Sequence, residues 1–274
     1  MIKIICLIRN DPAQIYFLNK INERYKIALA VIEAPVSRLD LVNKLKAKGI
    51  WGSLEDITNR VLTAGQKQQR NVRDYNKYFG NKWKVIDESI PLLTTQDINS
   101  AAVEERLSRE RPELILDHGT SLVKGHILET SPLALNLHWG LSPYYRGSYC
   151  TQWALVNWDP YNIGVTIHKL AKKIDGGDIL AQQRAALMPG DTAHSINMQL
   201  TQLGVELIIK VIDRIGTGQE LNFKKQDYSQ GMMTCVKQWD RHILKQVENI
   251  ENNGILRTIL EKPARKQALP IVEL

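Results

Sequence analysis

The sequence has few cysteines and lacks a long apolar run. Its 274 residues include only three cysteines, Cys6, Cys150 and Cys235, which lie far apart. They form no Cys-x-x-Cys pair and no Cys/His metal spacing, so neither a disulfide framework nor a metal site is expected. No apolar run approaches the roughly 20 residues that a transmembrane helix needs. The short apolar start of the chain has no signal-peptide cleavage site, and a reducing cytoplasm is therefore the expected compartment.

Internal repeats and low-complexity linkers are also absent. With 43% hydrophobic and 24% charged residues, the composition is ordinary for a globular protein and excludes a disordered, collagenous or coiled-coil chain. The length suits one large domain, or one domain and a half.

The net charge of +7 is concentrated in one segment. Between Arg60 and Lys84 seven basic residues stand against one acid, Asp74, whereas the rest of the chain is nearly balanced. Such a cluster attracts anionic partners such as phosphate, a nucleotide or nucleic acid. A solvated helix face is an equally good interpretation.

Apolar runs and helical periodicities alternate along the chain. Strands are predicted over residues 2–8, 26–33, 83–90, 113–116, 133–138, 164–170 and 178–185. Helices are predicted over residues 11–24, 37–48, 94–109, 149–157, 191–215 and 236–250. Strands separated by helices are typical of a parallel sheet covered by helices on its faces. The sequence therefore predicts an α/β fold.

The same pattern predicts the domain organisation. Residues 1–222 should form the main domain, with a basic insertion at about 50–82. Residues 223–274 should form a C-terminal extension that is too short to bury a core of its own. This extension must therefore dock on the main domain or on a second subunit.

The stretch from Leu133 to Gln183 contains the polar residues best suited to chemistry. Asn136 and His138 are two residues apart at the end of a predicted strand, so their side chains share one face. Open α/β sheets bind ligands beyond the carboxyl ends of their strands. Taken alone, such a pair is more often a structural hydrogen-bonding pair. Asp175, which precedes two glycines, is by itself more often a turn residue.

Three segments downstream change that interpretation: Tyr145-Arg146-Gly147, Gly164-Val165-Thr166 and Ile174-Asp175-Gly176-Gly177-Asp178. With them, residues 112–186 resemble the formyltransferases that use N10-formyltetrahydrofolate. The pattern of that family is roughly Asn-x-His-x-Ser-Leu-Leu-Pro-x-Tyr-Arg-Gly, then Gly-Val-Thr, then an Asp-x-Gly loop. The resemblance implies a Rossmann-like, mostly parallel sheet flanked by helices. It is looser over the N-terminal strands and weak over the insertion and the tail.

The resemblance implies Asn136, His138 and Asp175 as the catalytic residues. An amine would attack the formyl carbon, and the Asn136 amide and a protonated His138 would donate to the developing oxyanion. Asp175 would hold the protonation state of His138 and take the proton of the amine, directly or through a water. No metal is required. In one departure from the family pattern, its serine after the histidine is Gly140 here, and Ser142 is a candidate for the displaced hydroxyl.

The resemblance also implies a folate pocket formed mainly by backbone groups, in which glycines allow close approach. The candidate residues for the folate are His118, Gly119, Thr120, Lys173, Ile174, Gly176 and Gly177. The candidate residues for the acceptor are Arg9, Asn10, Lys77, Ser142 and Arg146.

The length of the chain favours one acceptor class. Within the family, glycinamide ribonucleotide formyltransferases are shorter, methionyl-tRNA formyltransferases have a larger C-terminal β-barrel, and formyltetrahydrofolate hydrolases have an N-terminal regulatory domain. We therefore expect formyl transfer to a small phosphorylated amine, above all a nucleotide-linked amino sugar, by a homodimer that the tail supports. The alternatives are methionyl-tRNA as acceptor, hydrolysis of the donor, and a catalytically silent nucleotide-binding protein. Membrane and nucleic-acid partners are not expected.

Overall fold

The computed structural model describes residues 2–34, 54–261 and 268–274. The strands in these ranges are β1 (Ile4–Arg9), β2 (Ile27–Glu33), β3 (Leu92–Thr95), β4 (Leu114–His118), β5 (Ala134–His138), β6 (Tyr145–Gly147), β7 (Gly164–Lys169), β8 (Ile179–Arg184) and β9 (Met232–Thr234). The α-helices are α1 (Pro12–Asn22), α2 (Leu54–Phe79), α3 (Ala101–Glu110), α4 (Gly125–Leu128), α5 (Cys150–Val156), α6 (Ala193–Gly216), α7 (Arg241–Asn252) and α8 (Ile255–Glu261). The helix predicted over 37–48 lies outside the described residues.

The described strands form a seven-stranded sheet in the order β3-β2-β1-β4-β5-β7-β8. All neighbours from β3 to β5 are parallel, whereas β7 and β8 run antiparallel to theirs. The predicted mostly parallel α/β sheet is thus confirmed. A separate two-stranded sheet joins β6 to β9.

Both faces of the sheet are buried. Along β1, Ile4, Cys6 and Ile8 join a core on one face, and Ile5 and Leu7 join a second core on the other. Such a continuous apolar strand is typical of a parallel sheet that helices cover on both sides. No helix in the described ranges combines the length and the apolar character needed to cross a bilayer.

Helix α6 covers the end of the sheet that holds β5, β7 and β8. It begins after Thr192, whose side chain accepts a hydrogen bond from the backbone N–H of Ser195 while the serine hydroxyl accepts from the N–H of Thr192. This reciprocal cap satisfies amide groups that the first helical turn leaves free. The helix predicted over 191–215 is confirmed, and its N-cap is Thr192.

The strand predicted over 83–90 is wrong, because the edge strand β3 comes after it. The side chain of Asn19 donates to the carbonyl oxygens of Lys82 and Val85 and accepts from the backbone N–H of Asp87. These backbone groups therefore bond to a side chain of α1 and not to a neighbouring strand. The following helix also starts later than predicted, after Ser100, because Thr94 and Thr95 lie in β3.

The tail packs on the main domain. The helix predicted over 236–250 is a 3-10 turn at Val236–Gln238 followed by α7, whose N-cap, Asp240, accepts from the N–H of Ile243. Val247 and Ile250 of α7 belong to the same apolar core as the sheet. Residues after 222 therefore contribute to the same apolar core as the sheet; the domain boundary at 222 stays a prediction.

Candidate active site

A cavity of about 610 Å³ opens at the carboxyl ends of β1, β4 and β5. This edge is where open α/β sheets bind ligands. The predicted site residues that line it are Arg9, His118, Gly119, Thr120, Asn136, His138, Lys173, Ile174 and Asp175. The structure thus brings most of the predicted site to one place.

Strand β5 places two of the three predicted catalytic residues. Asn136 and His138 are both buried at its carboxyl end. The residue between them, Leu137, lies against Gly204 of α6, where an added Cβ would come within 2.4 Å of Leu137 Cδ1. The alternation along a strand therefore turns both polar side chains toward the cavity and the leucine toward the core.

Asp175 reaches these two residues from the loop between β7 and β8. Its Oδ1 lies 3.4 Å from Nδ1 of His138 and 3.4 Å from Nδ2 of Asn136. Its Oδ2 accepts a 2.8 Å hydrogen bond from the backbone N–H of Gly147 in β6. The next turn allows no side chain at Gly177, where an added Cβ would lie 1.7 Å from the carbonyl oxygen of Lys169.

A second histidine, His168 of β7, completes the cluster. It pairs with Asn136 in the antiparallel register of β5 and β7. Its Nδ1 lies 2.7 Å from the carbonyl oxygen of Lys169, so Nδ1 donates and Nε2 is free to accept from Nδ2 of Asn136 at 3.2 Å. Nε2 also lies 3.5 Å from Oδ1 of Asp175. The sequence analysis assigned His168 no role. The one pattern that could have indicated it is the alternation in Thr166-Ile167-His168, which places the two polar side chains on the same face of the strand.

Burial and the neighbouring charges control the ionisation of these groups. Burial lowers the pKa of His138 below its ordinary value, although the charge of Asp175 opposes the shift. Burial by itself would raise the pKa of Asp175, but the charge of His138 and the hydrogen bond from the N–H of Gly147 oppose it, and that pKa lies far below its usual range.

The two ring nitrogens of His138 both face acceptors. Nε2 lies 3.2 Å from the carbonyl oxygen of Tyr145, and Nδ1 faces Asp175. The site therefore combines an ionised carboxylate with an imidazole that is neutral at pH 7. When the imidazole gains a second proton, both of its N–H groups face an acceptor. The sequence predicted that His138 is already protonated. The structure disagrees, because burial lowers the pKa of His138 more than the charge of Asp175 raises it.

Several predicted site residues do not line the cavity. The hydroxyl of Ser142 is fully buried without a hydrogen-bond partner among the described residues. Arg146 is buried, with its guanidinium over the ring of Tyr228. Lys77 is exposed on α2 beside its neighbour Tyr78, and Asn10 is exposed next to Arg9. Gly176 and Gly177 shape the Asp175 loop without lining the cavity.

A family model named formyl transferase matches residues 26–212, which is more than half of the chain. The chain belongs to this family. It is thus a formyltransferase, and the matched region contains Asn136, His138, His168 and Asp175.

The formyltransferase is also similar to solved structures. A 4-N formyltransferase from Francisella tularensis is 19% identical, with a TM-score of 0.52 over 86% of this chain and 77% of that one. A sugar N-formyltransferase from a Shewanella species is 14% identical, with a TM-score of 0.53 over 86% and 78%. An N-formyltransferase from Helicobacter canadensis, in complex with folinic acid and dTDP-3-aminofucose, is 18% identical, with a TM-score of 0.55 over 88% and 73%. These likenesses show a shared fold.

The geometry explains why this formyltransferase has Gly140 where the family pattern has serine. A Cβ added to Gly140 would lie 2.4 Å from Nε2 of His138 and 3.0 Å from Cβ of Cys150. The imidazole and the cysteine therefore fill the space that a serine would need. Cys150, which sequence reasoning missed, lines the cavity, and its Sγ lies 3.6 Å from Nε2 of His138.

Two acidic residues that the sequence did not single out lie at the cavity: Asp117 lines it, and Glu33 lies behind the lining residues Arg9 and Ser121. Asp117 is buried and accepts from the hydroxyl of Thr120, and burial raises its pKa to about 7. Glu33 accepts from the backbone N–H of Ser121 at 2.7 Å and from Nε of Arg9 at 3.3 Å. Within the described ranges no group of His, Cys, Asp and Glu side chains is arranged to hold a metal ion. That the reaction needs no metal stays a prediction.

Proposed function

We propose that this formyltransferase transfers a formyl group from N10-formyltetrahydrofolate to the primary amine of a nucleotide-linked amino sugar. The observation that carries the proposal is the convergence of Asn136, His138 and Asp175 at one cavity, in a chain of the formyl transferase family. A cavity of about 610 Å³ lies within the range of small-molecule sites.

The cavity wall supports a folate as donor. His118 is buried and lines the cavity, its Nδ1 donates to the carbonyl oxygen of Leu137 at 3.1 Å, and its Nε2 has no partner among the described residues. Burial lowers the pKa of His118 to about 4, so this nitrogen is an uncharged acceptor at neutral pH. Gly119 also lines the cavity and has a φ of 82°, a conformation that favours glycine. When bound, the folate supplies the formyl carbon that the amine attacks.

The acceptor class is inferred from similar enzymes and from the charges at the cavity. The Helicobacter canadensis structure contains a dTDP-linked amino sugar. Arg9 and Lys173 line the cavity here, and such cations suit the phosphates of a nucleotide. Arg9 is 46% exposed although it pairs with Glu33, so its guanidinium still faces solvent.

We assign Asn136 the hydrogen bond to the formyl oxygen as negative charge develops there. Nδ2 has two hydrogens: one donates to Nε2 of His168 at 3.2 Å, and the other, which faces Oδ1 of Asp175 at the longer distance of 3.4 Å, is the one assigned to the formyl oxygen. One such preorganised donor contributes roughly 3–4 kcal/mol to transition-state stabilisation.

We assign His138 the proton that the attacking amine loses; as the bond between the formyl carbon and the donor nitrogen breaks, His138 returns that proton to the departing nitrogen. A carboxylate whose pKa lies as low as that of Asp175 is a weak base, so it stabilises the imidazolium better than it keeps a proton itself. The carbonyl oxygen of Tyr145 accepts from the other ring nitrogen. General acid–base help of this kind gives about 10²- to 10⁴-fold in rate.

A turnover screen tests the proposal. Purified protein would be incubated with N10-formyltetrahydrofolate and a panel of nucleotide-linked amino sugars, free amino acids, methionyl-tRNA or water alone, and release of tetrahydrofolate would be followed. We expect release that depends on an amino sugar. Release with water alone would show a hydrolase, and release only with methionyl-tRNA would show the transfer RNA enzyme. Unchanged transfer by His138→Gln would refute the assigned chemistry.

The homodimer, the cytoplasmic compartment and the absence of a nucleic-acid partner stay predictions. Sedimentation equilibrium of the purified protein tests the predicted homodimer, for which we expect twice the monomer mass.

A further inference from the structure

The segment after α6 contacts the backbone of the Asp175 loop. Gln226 donates from Nε2 to the carbonyl oxygens of Asp175 at 2.8 Å and of Gly177 at 2.5 Å. The hydroxyl of Tyr228 donates to the carbonyl oxygen between them, that of Gly176. Two side chains of the tail thus bind three consecutive carbonyl groups of the loop that holds the carboxylate.

The Asp175 loop needs such support. Asp175 has a φ of 46°, a left-handed conformation that is unfavourable for most residues with a side chain. Residues in such conformations persist where surrounding contacts hold them. The hydrogen bonds from Gln226 and Tyr228 are contacts of that kind.

Tyr228 is itself held by two cations. Cζ of Arg146 lies 4.8 Å from the centroid of the ring, and Nζ of Lys173 lies 4.6 Å from it, distances at which a cation is attracted to an aromatic face. Lys173 lines the cavity. Arg146 precedes Gly147, whose N–H binds the carboxylate of Asp175. The tyrosine therefore contacts the loop at Lys173 and Gly176 and contacts β6 at Arg146.

Strand β9 of the tail fixes the other partners of the catalytic groups. It pairs with β6, which contains Tyr145, the acceptor for His138, and Gly147, the donor to Asp175. The hydroxyl of Thr234 lies within hydrogen-bond distance of the carbonyl oxygens of Arg146 at 3.0 Å and Ser148 at 2.6 Å. The tail and the loop thus form one connected structure around the carboxylate.

We propose that Gln226 and Tyr228 are positioning residues that keep the carboxylate of Asp175 within reach of His138. The inference rests on the proposed function for the reaction that this geometry serves. It gives the tail a part in every turnover, in addition to the predicted part in dimerisation.

Two near-isosteric variants test the proposal. Gln226→Met keeps an unbranched side chain of similar length and removes the donor, and Tyr228→Phe keeps the ring between its cations and removes only the hydroxyl. Matched controls are Gln230→Met, in the same segment, and Tyr161→Phe, on a distant turn. Both control residues are exposed and lie outside the catalytic cluster.

We expect kcat to fall about 10- to 100-fold in the variant with both substitutions, because a displacement of about 1 Å at a reacting group costs that much. The KM values for donor and acceptor should change by less than about threefold, since the lost contacts do not touch substrate. The controls should match the wild type. Tyr228→Phe removes a single hydroxyl, so it serves as the folded variant if the double substitution lowers the melting temperature severely.

An NMR titration of the His138 imidazole decides the inference without any substrate. Asp175 raises the pKa of His138, so a carboxylate that moves away should lower that pKa further in the double variant and in neither control. An unchanged titration of His138 in the folded double variant would overturn the inference, whatever the turnover. Failure of the proposed function is a separate result: the wild-type protein would transfer no formyl group, while the titration would still respond to the two substitutions.

Discussion

At the residue scale, the ionisation of His138 connects structure to rate. Its neutral imidazole has acceptors at both ring nitrogens, Tyr145 and Asp175, so it is arranged to take a proton during turnover. Burial lowers its pKa below the ordinary histidine value. The enzyme should therefore stay active at pH values where an exposed histidine would already be protonated.

The pH profile of kcat/KM tests this. In the wild type, the acid limb should have its midpoint below the ordinary histidine value of 6.5. In Asp175→Asn the limb should move to lower pH, because the lost charge no longer raises the pKa of His138. The rate should also fall about 10²- to 10⁴-fold. A limb that moves to higher pH in the variant would contradict the assigned roles of the two residues.

Gly140 is the second residue whose role is testable. In Gly140→Ser the new Cβ would meet Nε2 of His138 at 2.4 Å, so the imidazole must leave its place between Tyr145 and Asp175. We expect a loss of stability of about 1–3 kcal/mol from overpacking, together with a large fall in kcat. Urea unfolding and steady-state kinetics measure the two effects. Gly190→Ser is the matched control, because nothing lies within 4 Å of a Cβ there.

At the element scale, the packing of α6 on β5 fixes the strand that holds the catalytic pair. Gly204→Ala should destabilise the protein by about 1–3 kcal/mol, because the new methyl group would press on Leu137, between Asn136 and His138. This cost exceeds the gain of about 1 kcal/mol that alanine brings to a helix.

Gly216→Ala at the end of the same helix is the control for Gly204→Ala, because its nearest neighbour, Ile2 Cδ1, is 4.0 Å away. Chemical denaturation compares the two variants. Equal stabilities would contradict the packing argument.

Helix α2 contains most of the basic cluster, but those of its cations that the structure describes lie away from the cavity. None of the residues that line the cavity in the described part of the chain belongs to α2. Arg70 pairs with Glu251 of α7 at 3.1 Å, while Arg73 and Lys77 are exposed. Replacing Arg73 and Lys77 by glutamine should therefore leave the KM for the acceptor within about twofold. A clear rise in that KM would restore the predicted contact between Lys77 and the phosphates.

At the scale of the whole molecule, one buried and one half-buried histidine should make the fold sensitive to acid. Burial lowers the pKa of both His118 and His194 to about 4. The unfolded chain binds protons on these residues near pH 6.5, so stability is lost as the pH falls from 6.5 toward 4. Asp117 has the opposite effect on stability. Its pKa is about 7 in the folded state, above the value in the unfolded chain, so the folded state binds this proton at a higher pH than the unfolded chain does.

A comparison with His194→Gln isolates the histidine effect, because the contribution of Asp117 is common to both proteins. His194 lies on α6 outside the cavity, against Tyr75. Between pH 6.5 and 4, the free energy of unfolding of the wild type should fall by up to about 1.4 kcal/mol per pH unit more than that of the variant. Urea titrations at several pH values measure this, and parallel curves would contradict it.

The sequence alone predicted the parts of this molecule that depend on local pattern. Apolar strands separated by amphipathic helices were sufficient for the α/β sheet, since a strand or helix must bury its apolar face. The spacing of Asn136 and His138 placed them on one face of β5, because side chains alternate along a strand. The strand expected over 83–90 was wrong because a single side chain on α1, that of Asn19, binds its backbone.

The family resemblance grouped Asp175 with Asn136 and His138, but only the tertiary structure decided how these distant residues meet. Asp175 reaches His138 because a loop beyond β7 folds back, and His168 meets Asn136 because β7 runs antiparallel to β5. No periodicity in the sequence encodes such a register. The chain has only three cysteines, far apart in the sequence, which predicted that no disulfide framework organises the fold. The conformation of the catalytic loop is instead held by hydrogen bonds from a tail about 50 residues further along the chain, a contact that depends on packing and not on local pattern.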